Sequence, residues 1–349
     1  MSPRTALLAL TLLAAAPAAR AQVAPLPVPW SSPRARVTQV VGVSEVTLDW
    51  GRPGLKGREV WGDPDVVPWG AVWRAGANEN TTIAFSHDAT VEGRPLARGT
   101  YGLHLLPRPE GVTVIFSRNS TSWGSYRYDE AEDALRVEVA WAPAPATEWL
   151  DFDFNDLSST GATCRLLWGE RAVPFRIAFD THAIVLAHAR DEYLRGRAGF
   201  TWQGWHSAAR YCLANGVELE QGLAWAERAV ALSASMTTLG TQAGLLEKLG
   251  RAQEAAALQE RALSLATEAE LNALGYQQLN AGRTAEALAT FERATRAWPQ
   301  SWNAWDSLAE ACARAGDTAR AVELFRKAAE LAPDDQQARI AGELRRLGG

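Results

Sequence analysis

Cysteine is scarce in this chain: three residues in 349, Cys164, Cys212 and Cys312, widely spaced and without a C-x-x-C pair. That count excludes a disulfide framework of the kind that staples small extracellular domains, and it excludes a zinc site built from cysteines. A single disulfide is left open but is not needed, because Cys212 and Cys312 fall at helix-packing positions where a small thiol fits. Histidine is also sparse, with five dispersed residues. His182 and His188 stand six apart, which on a helix turns them about 240° from one another and prevents a shared metal. The one metal grouping left open is His104 or His87 with Glu79 and Asp88. There is no G-x-S-x-G elbow, H-E-x-x-H pair, Walker A loop or G-x-G-x-x-G turn, so no established catalytic motif announces a reaction. Charge of one sign is lacking too: a formal net charge of -5 argues against nucleic acid or anionic membrane as the main partner.

Long apolar runs are absent as well, apart from Ala6 to Ala16 near the N-terminus. That run is too short for a permanent membrane span. Preceded by Arg4 and followed by Ala19-Arg20-Ala21, it reads as a secretory signal over residues 1–21. The expectation is an exported protein, most naturally periplasmic, with no membrane span.

What the chain does contain changes character halfway. Residues 31–180 alternate: Val46, Leu48 and Trp50 point one way while Thr47 and Asp49 point the other, and Tyr101, Leu103 and Leu105, then Val112, Val114 and Phe116, repeat the pattern. Eight or nine short strands separated by Gly and Pro turns predict an antiparallel β-sandwich, with a jelly-roll as its variant. Residues 181–199 read as a bridging helix and linker. Beyond them, Gly250, Gly282 and Gly316 lie 32 and 34 residues apart, and each is followed by an Ala-rich helical stretch. That period belongs to stacked helical hairpins. Ala255, Ala287 and Ala321 recur five residues after each glycine, and Phe291 and Phe325 fill equivalent large positions. Four units are expected over 200–333, the first only if one extra residue is admitted after Gly216, and a polar capping helix over 334–349.

The helical half resembles the tetratricopeptide repeat. The match is closest over 268–333, through Leu271, Leu274 and Gly275 in one first helix and Trp305, Leu308 and Ala309 in the other. The resemblance implies an α-helical solenoid whose concave surface receives a protein partner, as a peptide or a helix. Projection of the pattern places His206, Arg210, Asn272, Tyr276, Asn280, Asn303, Asp306, Glu310 and Arg314 on that surface. The Lys and Asn clamp that some members use for a C-terminal carboxylate is missing.

The first half is similar to a bacterial family known as domain of unknown function 2911. The residues that carry the similarity are SPRARVTQVVG (32 to 42), GRPGLKGREVWG (51 to 62), VPWGAVWRAGANENTTI (67 to 83), GTYGLHLLP (99 to 107), VIFSRNSTSWGSYRYD (114 to 129) and VPFRI (173 to 177). The similarity implies a sandwich and no activity or cofactor. The residues themselves suggest a ligand site in the long, poorly alternating segment 52–79 and a later loop, formed from Arg58, Trp61, Trp73, Arg74, Asn78, Glu79, Trp123 and Tyr126. Aromatic faces beside Arg and Asn suit a glycan or another small molecule.

Three readings therefore stand. In the first the protein is an adaptor that holds a protein partner in the repeat groove, with the sandwich as an accessory domain contacting the cell envelope. In the second the sandwich binds a glycan or small molecule. In the third it is a hydrolase using Glu79 or His104. No cofactor is expected in the first, which the repeats favour.

Overall fold

The computed structural model describes residues 28–348, so the expected signal at 1–21 lies outside the described residues. The chain divides at Phe179/Asp180 into two compact units.

The first unit is built from ten strands: β1 (Arg34–Val41), β2 (Ser44–Gly51), β3 (Thr82–Phe85), β4 (Ala89–Val91), β5 (Arg94–Leu96), β6 (Gly99–Arg108), β7 (Gly111–Ser117), β8 (Asp133–Val139), β9 (Ala142–Asn155) and β10 (Gly161–Ala178). They form a six-stranded sheet in the order β1-β2-β3-β6-β7-β8 and a four-stranded sheet in the order β5-β4-β10-β9. Every pairing is antiparallel. Alternation works as expected: Val46, Leu48 and Trp50 of β2 are fully buried while Glu45, Thr47 and Asp49 are not. The inner faces meet where Phe116 packs edge-on to Phe175 at 5.9 Å and Trp50 to Phe152 at 5.1 Å, which makes the unit a sandwich.

The segment 52–79 is not an open loop. Trp73 exchanges backbone hydrogen bonds with Leu105 of β6, N to O at 2.7 Å and O from N at 2.8 Å. Its ring stacks on Trp168 at 5.8 Å, and Trp61 packs edge-on to Trp73, Trp141 and Trp168. Arg171 lies over the rings of Trp69 and Trp141. Five tryptophans thus close one side of the sandwich, and their large area offsets the shortage of regular strand there.

The second unit holds α1 (Thr181–His188), four helical hairpins and a last helix. The hairpins are α2 (Trp202–Asn215) with α3 (Leu219–Leu232), α4 (Met236–Lys248) with α5 (Ala252–Leu265), α6 (Glu268–Asn280) with α7 (Thr284–Ala297), and α8 (Trp302–Arg314) with α9 (Thr318–Leu331); α10 (Asp334–Arg346) follows. The residues expected to form a bridge belong to this unit. Leu186, Ala189 and Leu194 are buried in one cluster with Ala208, Cys212 and Trp225. Each hairpin turns at a left-handed glycine: Gly216, Gly250, Gly282 and Gly316 have φ between 68° and 86°. The extra residue after Gly216 is absorbed by Glu218, itself left-handed at φ 45°, so α3 starts one place later than its counterparts. Cys164, Cys212 and Cys312 are all free and buried. Among the described residues no helix is long and apolar enough to cross a membrane.

Candidate functional site

The face formed by the first helices α2, α4, α6 and α8 is stitched by polar side chains. His206 Nε2 lies 3.0 Å from Thr241 Oγ1, linking α2 to α4. Burial, with Arg210 nearby, lowers the pKa of His206 below the usual imidazole value. Tyr276 donates to Glu310 at 2.8 Å, linking α6 to α8, and burial raises its phenol to about 12. Arg314 then donates to Glu310 at 2.5 Å and to Asn280 at 3.2 Å. Four of the nine residues projected onto this face, Tyr276, Asn280, Glu310 and Arg314, are therefore one network.

Asp306 is different. It is 6 % exposed and ion-paired at 2.8 Å with Arg339 of α10, so it fastens the last helix to the array. What remains is Arg210 and Asn303, which have no hydrogen-bond or ion-pair partner among the described residues, and Asn272, whose Oδ1 is buried without a donor. A buried acceptor left unmade costs about 1–3 kcal/mol, and a bound backbone N–H would relieve that cost.

Between α4 and α6 no side-chain hydrogen bond or ion pair occurs among the described residues, and α5 and α6 make little direct contact. An open cleft of about 540 Å³ lies there, lined by Leu263, Leu271, Trp298 and the arginines 293 and 296. The spacing from Gly250 to Gly282 is two residues shorter than the next, and Gln259 stands where α7 and α9 carry Phe291 and Phe325.

In the sandwich, the expected ligand residues separate. Trp61 and Trp73 belong to the tryptophan cluster. Arg58 donates to the carbonyls of Leu55 and Gly54 at 3.0 Å each, Asn78 to that of Ser32 at 3.3 Å, and Glu79 pairs with Arg34 at 2.8 Å. These five hold the segment in place. Trp123 and Tyr126 are 55 % and 81 % exposed, and Trp123 lies 6.4 Å from exposed Trp30. Arg74 lies close to them: a Cβ on Gly124 would fall 2.8 Å from its Nη1 and 3.2 Å from the Tyr126 ring. Its Nε is buried without an acceptor.

Just inside this surface is a polar cluster that sequence reasoning assembled only in part. His104 is 3 % exposed, with Nδ1 2.9 Å from Ser125 Oγ, and burial lowers its pKa to about 4. Tyr128 packs edge-on to the imidazole at 5.4 Å and donates to Asp133 at 2.5 Å; burial and that acid raise the phenol well above its usual range. Asn80 donates to the Asn119 carbonyl at 3.0 Å while its Oδ1 is buried and unpartnered. The signal that was present is the run 117–129, where alternation stops and Ser, Asn and Tyr crowd together. Among the described residues no group of three His, Cys, Asp or Glu is placed to hold a metal.

Comparison with known proteins agrees with this division. Residues 32–177 match the family described as protein of unknown function (DUF2911), and residues 272–336 match the tetratricopeptide repeat. No curated protein matches the chain. Solved structures that resemble it include residues 41 to the end of MamA from Desulfovibrio magneticus RS-1, at 19 % identity over 44 % of this chain and 84 % of that one with a TM-score of 0.27. YrrB, described as a TPR protein with an unusual peptide-binding site, is 21 % identical over 46 % of this chain and 84 % of its own, with a TM-score of 0.28. PilF from Pseudomonas aeruginosa is 18 % identical over 44 % and 69 %, with a TM-score of 0.26.

Proposed function

We propose that this chain, a family-2911 sandwich followed by a tetratricopeptide array, is an exported adaptor that holds a protein partner on its first-helix face, with the sandwich in an accessory role at the cell envelope. The repeat match supports a protein-interaction scaffold. The observation that carries the reading further is the uneven use of side chains on that face. Tyr276, Glu310, Arg314 and Asp306 are consumed in holding helices together, whereas Arg210, Asn272 and Asn303 are left with unspent hydrogen-bonding capacity. An extended or helical segment offering backbone N–H groups and a carboxylate suits those three. Export rests on the pattern of residues 1–21.

The test is capture by cross-linking from envelope extracts, comparing the unaltered protein with an Arg210→Glu, Asn272→Ala, Asn303→Ala variant. None of the three joins helices, so the variant should melt no lower than the parent. A partner retained by the parent and lost at least ten-fold by the variant is expected. Equal capture would remove this face from consideration.

A further inference from the structure

The adaptor reading makes no use of the cluster around His104. Ser125 is half-buried, and Trp123 and Tyr126, close to it in the chain, face solvent. Its hydroxyl nevertheless meets a buried imidazole nitrogen at 2.9 Å. A void of about 10 Å³ beside the imidazole, lined by His104, Ser117, Asn119 and Ser122, has room for about one water. Arg127 lines the same void, and Arg74 approaches Gly124, next to Ser125.

We propose that Ser125 is a nucleophile activated by His104, and that the sandwich carries an acyl-transfer site for small esters with an apolar or aromatic group that packs on Trp123 and Tyr126. The roles are those of one imidazole tautomer. A neutral imidazole that carries its proton on Nε2 presents the Nδ1 lone pair to the Ser125 O–H, and burial of the ring keeps it neutral through the physiological range. Ser125 Oγ attacks the ester carbonyl carbon while its proton passes to Nδ1. The C–O bond to the leaving alcohol then breaks, the alcohol takes that proton, and water later hydrolyses the acyl-serine to the free acid. The guanidinium groups of Arg74 and Arg127 supply positive charge beside the carbonyl oxygen as it becomes anionic. Gly102 on β6 is packed tightly beside the ring: a Cβ there would lie 2.3 Å from the Asn119 carbonyl oxygen, 2.6 Å from Asn80 Nδ2 and 3.3 Å from His104 Nε2.

No carboxylate is bonded to Nε2 among the described residues. The titratable groups nearest the ring are Tyr128, Arg127 and Glu132. An imidazolium without an anionic partner is poorly supported, and loss of that partner's role costs about 10⁴ in rate in serine triads. Turnover is therefore slow, and covalent capture is the sharper readout. The full chain is treated with an aryl fluorophosphonate, which bonds phosphorus to Oγ and expels fluoride as the proton passes to His104, and the adduct is mapped by peptide mass. One adduct at Ser125 is expected, absent in Ser125→Ala and formed at least ten-fold more slowly in His104→Gln. In the unaltered protein the labelling rate should hold from pH 8 to pH 5 and fall as His104 protonates near pH 4, so the result does not depend on the variant folding. No adduct at Ser125, an adduct elsewhere only, or equal labelling of a folded His104→Gln would overturn the proposal.

Discussion

His104 shows how a single residue links burial to behaviour in solution. An imidazole that is 3 % exposed and bonded only to a neutral hydroxyl resists protonation, so its pKa falls to about 4 from an ordinary value of 6.5. In the unfolded chain it protonates near 6.5, and between those values the unfolded state binds more protons. Stability is therefore complete above pH 6.5, falls as pH drops from 6.5 towards 4, and is unaffected by this residue below 4. The full loss is on the order of 3 kcal/mol by linkage. Urea unfolding of the sandwich at pH 7.5 and pH 4.5 should show that slope, and a folded His104→Gln variant should show less of it. At this scale the sequence was a poor guide. His104 sits in a strand that reads as an ordinary alternating one, and nothing local says that residue 125, 21 places on, folds back onto it. Trp61 and Trp73 are hard to read for a different reason: tryptophan beside arginine has the same composition in a binding loop and in a packed cluster, and the backbone pairing of Trp73 with Leu105 is not visible in the sequence.

Elements were more legible, because periodicity states which face is buried. The glycine positions, the alanines at close helix crossings and the extra residue after Gly216 all appear in the structure as the spacing predicts. Gly275 illustrates the constraint. A Cβ there would lie 2.5 Å from the Phe291 ring, inside any real contact distance. Phe291 cannot retreat, since it is fully buried and packed edge-on to Tyr276 at 5.2 Å. Gly275→Ala should therefore force α6 and α7 apart and cost about 1–3 kcal/mol, despite the better helix propensity of alanine. Equilibrium denaturation measures it, and a neutral or stabilising result would mean that the hairpin is more compliant than its packing indicates. The second hairpin lacks the equivalent of Phe291. Gln259 cannot fill the position that phenylalanine fills elsewhere, so the second and third hairpins meet with less apolar contact than the third and fourth. The short period was visible in the sequence, but its consequence was not, because a missing contact leaves no positive pattern.

For the whole molecule, the change from a period of two to a period of 3.6 near residue 180 coincides with a change of core. The first unit buries Trp50, Phe116, Trp168 and Phe175 between its own sheets, and the second buries Cys212, Phe291, Phe325 and Ile340 among its own helices. Each unit is of a size at which a single core is sufficient for independent folding. The segment after Phe179 is not an idle tether: Leu186, Ala189 and Leu194 complete the first hairpin's core, so a cut placed after residue 199 would strip apolar cover from Ala208 and Trp225. Fragments 28–179 and 180–348 are accordingly expected to fold alone, the first with a β and the second with an α circular-dichroism signature, each melting cooperatively. A fragment 200–348 should melt lower than 180–348, because it lacks those three side chains, and Leu186 and Leu194 each contribute about 1.5–3 kcal/mol on burial. Equal melting of the two helical fragments would show that the 181–195 segment packs on the array without supporting it, and the natural boundary of the repeat unit would then lie at Thr201.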